Sequence, residues 1–136
     1  MMHSVKEVAS MLDMTEHTVR YYTDKGLVPN LKRDHNNNRL FDEAALNWLL
    51  CVKHLRHCGM SVDDIKTYIG LCLEGDSTVK ERYEIMRKQK AVALAQLEEA
   101  KQSAAYIEEK VDHYHDILNG VATSGLNTGP IINKRM

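Results

Sequence analysis

The chain has 136 residues, of which 43% are hydrophobic and 27% charged, and its formal net charge is −1. This length allows one ordinary domain or a small domain with an extension, and the composition excludes a disordered chain. No apolar run approaches the roughly 20 residues that cross a membrane, and no signal-peptide pattern is present. Three cysteines without a paired framework suit a reducing compartment, so we expect a cytoplasmic protein without membrane partners.

Two short helices separated by a brief break open the chain. Ser4 and Glu7 have the spacing of a capping box and predict the start of the first helix. The second is predicted to begin at Thr15 and to end at Gly26, a typical left-handed position after a helix. Two short helices joined by a turn predict a helix-turn-helix, although many helical proteins contain such a pair.

The stretch LVPNLKRDHNNNRLF, residues 27–41, follows these helices. Asparagine tolerates positive φ, so Asn36 to Asn38 predict the tip of a hairpin between two short strands. A hairpin placed after a helix-turn-helix is a wing. A plain surface loop is the alternative interpretation.

Three more helices are expected beyond the hairpin. One runs from near Asp42 to Gly59, a second begins at Ser61 and closes at Gly75, and a capping box at Thr78 opens a long third. Apolar residues of this last helix alternate in steps of four and three for more than five heptads, which predicts a coiled coil. Nothing in the same chain is available to cover that stripe, so we expect a homodimer. The expected dimerisation residues are Val79, Tyr83, Met86, Ala93, Leu97, Ala104, Ile107, Val111, Tyr114 and Leu118.

These elements predict three parts of the chain. Residues 1–75 form a DNA-binding domain with auxiliary helices, residues 76–118 form the dimerisation helix, and residues 119–136 form a tail. The tail is rich in Gly, Thr and Asn and lacks periodicity, so it is predicted to be flexible.

The second helix is expected to divide into a core face and an outward face. Helical spacing assigns Thr15, Val19 and Tyr22 to the core. Arg20 and Tyr21 face outward and offer a guanidinium fork and a phenolic donor to phosphate. The other candidate DNA contacts lie near the start of that helix, in the hairpin and late in the third helix, and they are His17, Thr18, Arg33, Arg39 and Arg56.

Four segments, in this order and spacing, resemble the MerR family of transcription regulators: VKEVASMLDMTEHTVRYYTDKGLV, KRDHNNNRLF, LRHCGMSVDDIK and the long terminal helix. The resemblance covers residues 3 to about 118. It implies a mainly α fold, with a winged helix-turn-helix, two further helices and a long antiparallel coiled-coil dimerisation helix. It also implies a homodimer that binds a pseudo-palindromic operator in double-stranded promoter DNA, distorts that DNA and thereby acts indirectly on RNA polymerase.

The family's DNA-contact positions correspond here to Arg20, Tyr21, Arg33, Arg39 and Arg56, and further to Thr15, His17, Thr18 and Tyr22. Members commonly carry Gly-Tyr at the wing tip, where this chain has Asn37 and Asn38, so Asn38 takes the place of the tyrosine. The Asn-Arg pair of the wing, followed by Phe41, resembles the subgroup that responds to aldehydes and nitrosative stress. His54 stands where that subgroup places a cysteine, just before the Leu-Arg of the third helix.

The sequence indicates less clearly which signal such a regulator would respond to. Metal-sensing members carry a cysteine pair after the dimerisation helix, and this chain has none there, so no metal or other cofactor is expected. Cys51 and Cys58 are interpreted as small core hydrophobes, with a thiol-based stress sensor for an electrophile as the alternative. Seven residues place them about 11 Å apart along a helix, too far for one metal ion or a disulfide. A small hydrophobic effector held by Tyr68, Tyr83 and Met86 is also open.

Two functions of different classes compete. A dimeric DNA-binding regulator is the leading hypothesis, and a coiled-coil interaction protein with a degenerate winged domain is the alternative. An enzyme is not expected, because the histidines and cysteines form no set of nucleophile, base and orienting group.

Overall fold

A computed structural model describes residues 1–121 of the chain. Most of the tail that the sequence predicts to be flexible, residues 119–136, therefore lies outside the described residues. Residues 1–121 contain two compact units, one spanning Met1–Ala93 and the other beginning at Leu94.

The elements follow the predicted order. They are α1 (Val5–Met11), α2 (Glu16–Asp24), β1 (Lys32–Arg33), β2 (Arg39–Leu40), α3 (Glu43–His57), α4 (Val62–Glu74), a single 3-10 turn (Asp76–Thr78) and α5 (Val79–Leu118). The predicted fold class is confirmed: a mainly helical chain with an N-terminal helix-turn-helix, a two-stranded wing and a long C-terminal helix. In the part of the chain that the structure describes, no helix is both long and apolar enough to span a membrane.

Local capping residues explain where the shorter helices begin. The Ser4 hydroxyl accepts from the Glu7 amide at 3.1 Å, and the Glu7 carboxylate accepts from the Ser4 amide at 2.8 Å, which confirms the capping box. The Asp42 carboxylate and the Ser61 hydroxyl cap α3 and α4 in the same way, at 2.9 and 3.1 Å. Each cap satisfies backbone donors that a helix leaves unpaired at its start.

One hydrophobic core holds α1 to α4 and the wing together. Its fully buried side chains come from every one of these segments, and they are Val8, Val19, Leu27, Phe41, Leu49, Val52 and Ile65. A backbone bridge also pairs His3 with Phe41 through hydrogen bonds of 2.9 and 2.8 Å. The wing is therefore fixed to the N-terminus at the point where it enters α3.

The first turns of α5 pack against the same core. Ile85 and Met86 are partly buried there, and the Gln89 side-chain amide donates to the Cys58 carbonyl at 2.8 Å. Thr78, which the sequence predicts to cap α5, is 4% exposed, and its hydroxyl donates to the Leu71 carbonyl at the end of α4. The same hydroxyl accepts from the Arg82 side chain at 3.0 Å and thereby connects the end of α4 to α5.

Core packing predicts a stability difference between two adjacent leucines of α3. Leu49 is fully buried, whereas Leu50 is 38% exposed. Leu49→Ala should lower the free energy of unfolding by about 2–5 kcal/mol, because it leaves a cavity as well as losing buried apolar surface. Urea denaturation at a fixed protein concentration measures the change, and Leu50→Ala is the matched control with a loss below about 1 kcal/mol. Equal losses for the two variants would contradict this description of the core.

Candidate nucleic-acid interface

The face of α2 that carries Arg20 and Tyr21 is set by burial of the opposite face. Val19 is fully buried and Tyr22 is 9% exposed, whereas Tyr21 is 43% exposed and Arg20 is exposed. The two adjacent tyrosines thus point in different directions, as the helical spacing predicts. The expected core position of Thr15 is wrong: this residue precedes the helix and stays exposed as its N-cap.

The start of α2 presents short polar side chains. The Thr15 hydroxyl accepts from the Thr18 amide at 3.0 Å and lies 2.7 Å from the Thr18 hydroxyl. These bonds fix both threonines at the helix N-terminus, while His17 is exposed beside them. The positive end of the helix dipole also lies here, which favours an approaching anion.

Arg20 has a weak partner within α2, and Tyr21 has one at Lys25, just after the helix. Arg20 forms an ion pair of 3.1 Å with Glu16, and both side chains are more than 40% exposed. Such an exposed pair contributes about 0.3–0.5 kcal/mol, so a phosphate can compete for the guanidinium. The Lys25 ammonium lies 5.6 Å from the centre of the Tyr21 ring. Sequence reasoning missed Lys25, although its spacing of four residues from Tyr21 was a usable signal.

An aspartate organises the wing. β1 and β2 pair antiparallel, with Arg33 opposite Arg39, and Asn37 has a φ of 64° at the tip. The Asp34 carboxylate accepts from the amides of Asn36 and Asn38, each at 2.9 Å. The hydrogen bond from the Asn38 amide, above all, lowers the pKa of Asp34. The predicted hairpin is confirmed, and Asn38 is used to hold its tip.

The two basic residues of β1 are exposed but partly held. The Arg33 guanidinium donates to the Asn37 carbonyl at 2.9 Å, and the Lys32 ammonium lies 2.5 Å from the Asp42 carboxylate. A carbonyl uses one of the five guanidinium donors, so Arg33 keeps others that can reach an anion.

Arg39 differs from the other candidate contacts because its side chain is turned inward. The side chain is 18% exposed, its Nε donates to the Thr23 hydroxyl at 2.8 Å, and its Nη2 lies 2.7 Å from the Asp24 carboxylate. Thr23 in turn donates to the Arg20 carbonyl at 2.8 Å. We name this set the Arg39 clamp: Arg39, Thr23, Asp24 and the Arg20 carbonyl. It joins the wing to the C-terminal half of α2.

Arg56, near the end of α3, also has a hydrogen-bond partner in the turn that follows the helix. Its guanidinium donates to the Met60 carbonyl at 2.9 Å, which closes the turn between α3 and α4, while the side chain remains exposed. One carbonyl does not saturate a guanidinium. Arg56 therefore combines a structural bond with donors that are open to solvent.

The cysteines are free and half-buried. Burial, and secondarily the nearby Cys72, raises the pKa of the Cys51 thiol. Burial and the neighbouring Cys72 likewise raise the pKa of Tyr68, so these three side chains of α3 and α4 lie close together. Cys58 lies apart from them, at the C-terminus of α3. Among residues 1–121, no group of three or more His, Cys, Asp or Glu side chains is placed to hold a metal ion.

Among residues 1–121, most of the predicted dimerisation stripe is exposed. Met86 and Ala93 are half-buried, and Met86 packs on the core of its own protomer. Ala104 is exposed, and the larger apolar members of the stripe have exposed fractions of 52–86%: Val79, Tyr83, Leu97, Ile107, Val111, Tyr114 and Leu118.

Comparison with known proteins identifies relatives along most of the chain. The model of the MerR helix-turn-helix family of regulatory proteins matches residues 3–71. An HTH-type transcriptional regulator of Haemophilus influenzae is 32% identical over 114 residues, which are 84% of each chain. The regulator AdhR of Bacillus subtilis is 35% identical over 83 residues, covering 61% of this chain and 59% of AdhR.

Solved structures agree with this relationship. HiNmlR, a MerR family regulator lacking the sensor domain and bound to promoter DNA, superposes with a TM-score of 0.81 at 29% identity. The match covers 91% of this chain and 98% of HiNmlR. A MerR family regulator from Bacillus thuringiensis gives a TM-score of 0.75 at 33% identity, over 82% of this chain and 98% of that one.

The raised pKa of Cys51 predicts a slowly reacting thiol. The thiolate is the nucleophile, and a thiol with a raised pKa stays protonated to higher pH. At pH 7.5, iodoacetamide should modify Cys51 more slowly in the folded protein than in the protein unfolded by guanidinium. Peptide mass spectrometry over time measures both rates. Equal or faster modification in the folded protein would instead mark an activated, sensor-like cysteine.

Proposed function

The chain belongs to the MerR family of helix-turn-helix regulatory proteins, and we propose that it binds promoter DNA as a homodimer and regulates transcription. Its relatives are transcriptional regulators rather than enzymes, and we extend this to the present chain, with the cytoplasm as its location and RNA polymerase as an indirect partner. The observation that carries the proposal is the exposed pair Arg20 and Tyr21 on a helix anchored by Val19 and Tyr22.

Phosphate contact is assigned to the exposed cations around α2. Arg20 needs only to exchange a weak ion pair with Glu16 for a phosphate, and Tyr21 adds a phenolic donor beside it. Arg33 extends the same chemistry to the wing, where its guanidinium keeps donors beyond the one given to Asn37. Arg56, which is exposed near the C-terminus of α3, adds a further contact.

Base contact is assigned to the start of α2. The N-terminal residues of a recognition helix meet base edges in the major groove. His17 is exposed there, and the Thr15 and Thr18 hydroxyls are held next to it by their mutual bonds. Asn38 is assigned a contact from the wing tip, where its side-chain amide donates to the Asp34 carboxylate at 3.2 Å.

Arg39 is assigned a positioning role in this surface. Its guanidinium is already bound to Thr23 and Asp24, so a phosphate would have to displace two partners to reach it. The Arg39 clamp instead sets the angle between the wing and α2. Two elements that touch different parts of one DNA site need this angle to be fixed, since a small misalignment loses contacts at one end.

Dimerisation is assigned to the exposed stripe of α5. A 40-residue helix with no buried residue of its own needs a partner to cover its apolar face. A twofold dimer requires an operator with matching twofold symmetry. Two winged domains held at a fixed distance can also bend or untwist the DNA between their half-sites, which is how such a protein changes a promoter without contacting every base pair.

Selection from a pool of random DNA duplexes tests the proposed function. The full-length protein should enrich a pseudo-palindromic sequence, because the homodimer presents the same surface twice. With the enriched duplex, affinity should fall by about three to five decades between 50 and 200 mM salt if 6–10 phosphates are contacted. No enrichment at 50 mM salt would favour an interaction protein with a degenerate winged domain.

In the same assay, the salt dependence of binding distinguishes a residue that contacts phosphate from one that only positions the wing against α2. Arg20→Gln should reduce the slope of log affinity against log salt by about 0.9 per protomer, because one phosphate contact is lost in each. Arg39→Gln should weaken binding without changing that slope, and Asp24→Asn added to it should cost little more, since both act through one clamp. A slope reduced equally by Arg39→Gln would identify Arg39 as a phosphate contact.

Dimerisation through α5 predicts a monomer when the stripe carries charge. Leu97→Asp combined with Ile107→Asp should convert the protein from dimer to monomer, because like charges would be buried in the coiled coil. Sedimentation equilibrium measures the mass. Gln102→Asp, at an exposed position outside the stripe, is the matched control and should stay dimeric. A dimer that persists in the double variant would place the interface elsewhere.

A further inference from the structure

A pocket lies where α5 packs against α4 and the turn that precedes it. Its volume is about 330 Å³, and its lining residues are Met60, Asp64, Thr67, Ile85, Lys88 and Gln89. All six belong to the compact unit Met1–Ala93. Pockets that hold small molecules begin at about 300 Å³, so this one has room for a compact ligand.

The lining has an apolar base and walls of opposite charge. Met60 is 4% exposed and Ile85 is half-buried, so both present apolar surface from the core side. Asp64 stands on the α4 wall and Lys88 on the α5 wall, and both are exposed. Within residues 1–121, no ion pair joins these two side chains.

The acidic neighbour of Lys88 on α5 is Glu84, which attracts Lys88 only secondarily because it is paired first with Arg87. Glu84, one turn earlier, is held by Arg87 at 2.9 Å. Thr67 and Gln89 add hydrogen-bonding groups to the lining. The Gln89 side-chain amide already donates to the Cys58 carbonyl at 2.8 Å, which fixes the orientation of this side chain.

We propose that this pocket binds a small zwitterion, in which an apolar segment separates an ammonium group bound by Asp64 from a carboxylate bound by Lys88. Charged hydrogen bonds to Asp64 and Lys88 and apolar contact with Met60 and Ile85 match the chemistry of the lining. A neutral or singly charged molecule of the same size leaves one wall unpaired. Selectivity for two opposite charges is therefore the signature of the site.

Such a ligand would bridge α4 and α5. Arg82 and Gln89 already hydrogen-bond α5 to backbone carbonyls of earlier segments in the same compact unit, at Gly75 and Cys58. A ligand bound to Asp64 and Lys88 adds a third connection and stabilises this packing. This regulatory role rests on the proposed function, since it makes the zwitterion the signal of a DNA-binding regulator, whereas binding itself does not depend on DNA.

Nuclear magnetic resonance titration of the full-length protein tests the binding. The probes are 6-aminohexanoate and leucine, which separate the two charges by different distances, with hexanoate, hexylamine and hexanol as matched analogues. At least one zwitterion should shift the backbone amide signals of Asp64, Thr67, Lys88 and Gln89 in a saturable way. Each singly charged or neutral analogue should bind at least about tenfold more weakly than the zwitterion, because a charged hydrogen bond is lost.

Variants of two lining residues, each with a matched control, test whether the zwitterion binds in this pocket. Asp64→Asn and Lys88→Gln should each weaken zwitterion binding about tenfold, whereas Asp63→Asn and Lys80→Gln, exposed neighbours outside the lining, should leave it unchanged. Absence of shifts for both zwitterions at 10 mM, equal shifts with hexanoate or hexylamine, or unchanged binding in both lining variants would overturn the proposal. DNA binding of the same samples without ligand is measured separately, so a failure of the pocket is distinguished from a failure of the proposed function.

Discussion

The bond between the wing arginine and the end of the recognition helix is the constraint on which the DNA-binding surface depends. Arg39 reaches back 15 residues to Asp24 and 16 to Thr23, and through Thr23 it connects to the carbonyl of Arg20. The Asp24 carboxylate is 63% exposed, so its ion pair contributes only about 0.2–1 kcal/mol. The clamp therefore matters more for geometry than for stability, because it fixes the relative direction of the two elements to which we assign DNA contacts.

Features determined within a few residues were predictable from the sequence, and those that depend on distant partners were not. The capping residues Ser4 and Asp42 act over three residues, and the burial of Val19 and Tyr22 follows from helical spacing. The partners of Arg39 could not be found this way, because no periodicity links positions 23 and 24 to position 39. The same limit explains why the packing of Thr78 under α4, and the proximity of Cys51 to Cys72, appear only in the folded chain. The assignment of individual DNA contacts remains a prediction.

The burial of Cys51 and the pocket between α4 and α5 both bear on how a signal could act on the protein. A thiol sensor needs a stabilised thiolate, whereas burial raises the pKa of Cys51 and so favours the protonated form. The raised pKa agrees better with Cys51 as a small core side chain than with Cys51 as an activated cysteine. The pocket between α4 and α5 offers a different route, since it adjoins the Gln89 bond that ties α5 to the end of α3. A ligand there would act on the packing of the first turns of α5 against α4, within the compact unit that also contains α2.

A crystal structure of the full-length protein bound to its selected DNA duplex would show whether Arg39 positions the wing or contacts phosphate. Arg20 and Tyr21 should lie within hydrogen-bond distance of phosphates in both half-sites, with His17 facing base edges at the start of α2. Arg39 should remain bound to Thr23 and Asp24, at distances close to the present 2.8 and 2.7 Å. An Arg39 side chain released from both partners and bound to a phosphate, or an α2 that faces away from the DNA, would show that the Arg39 clamp does not have this role.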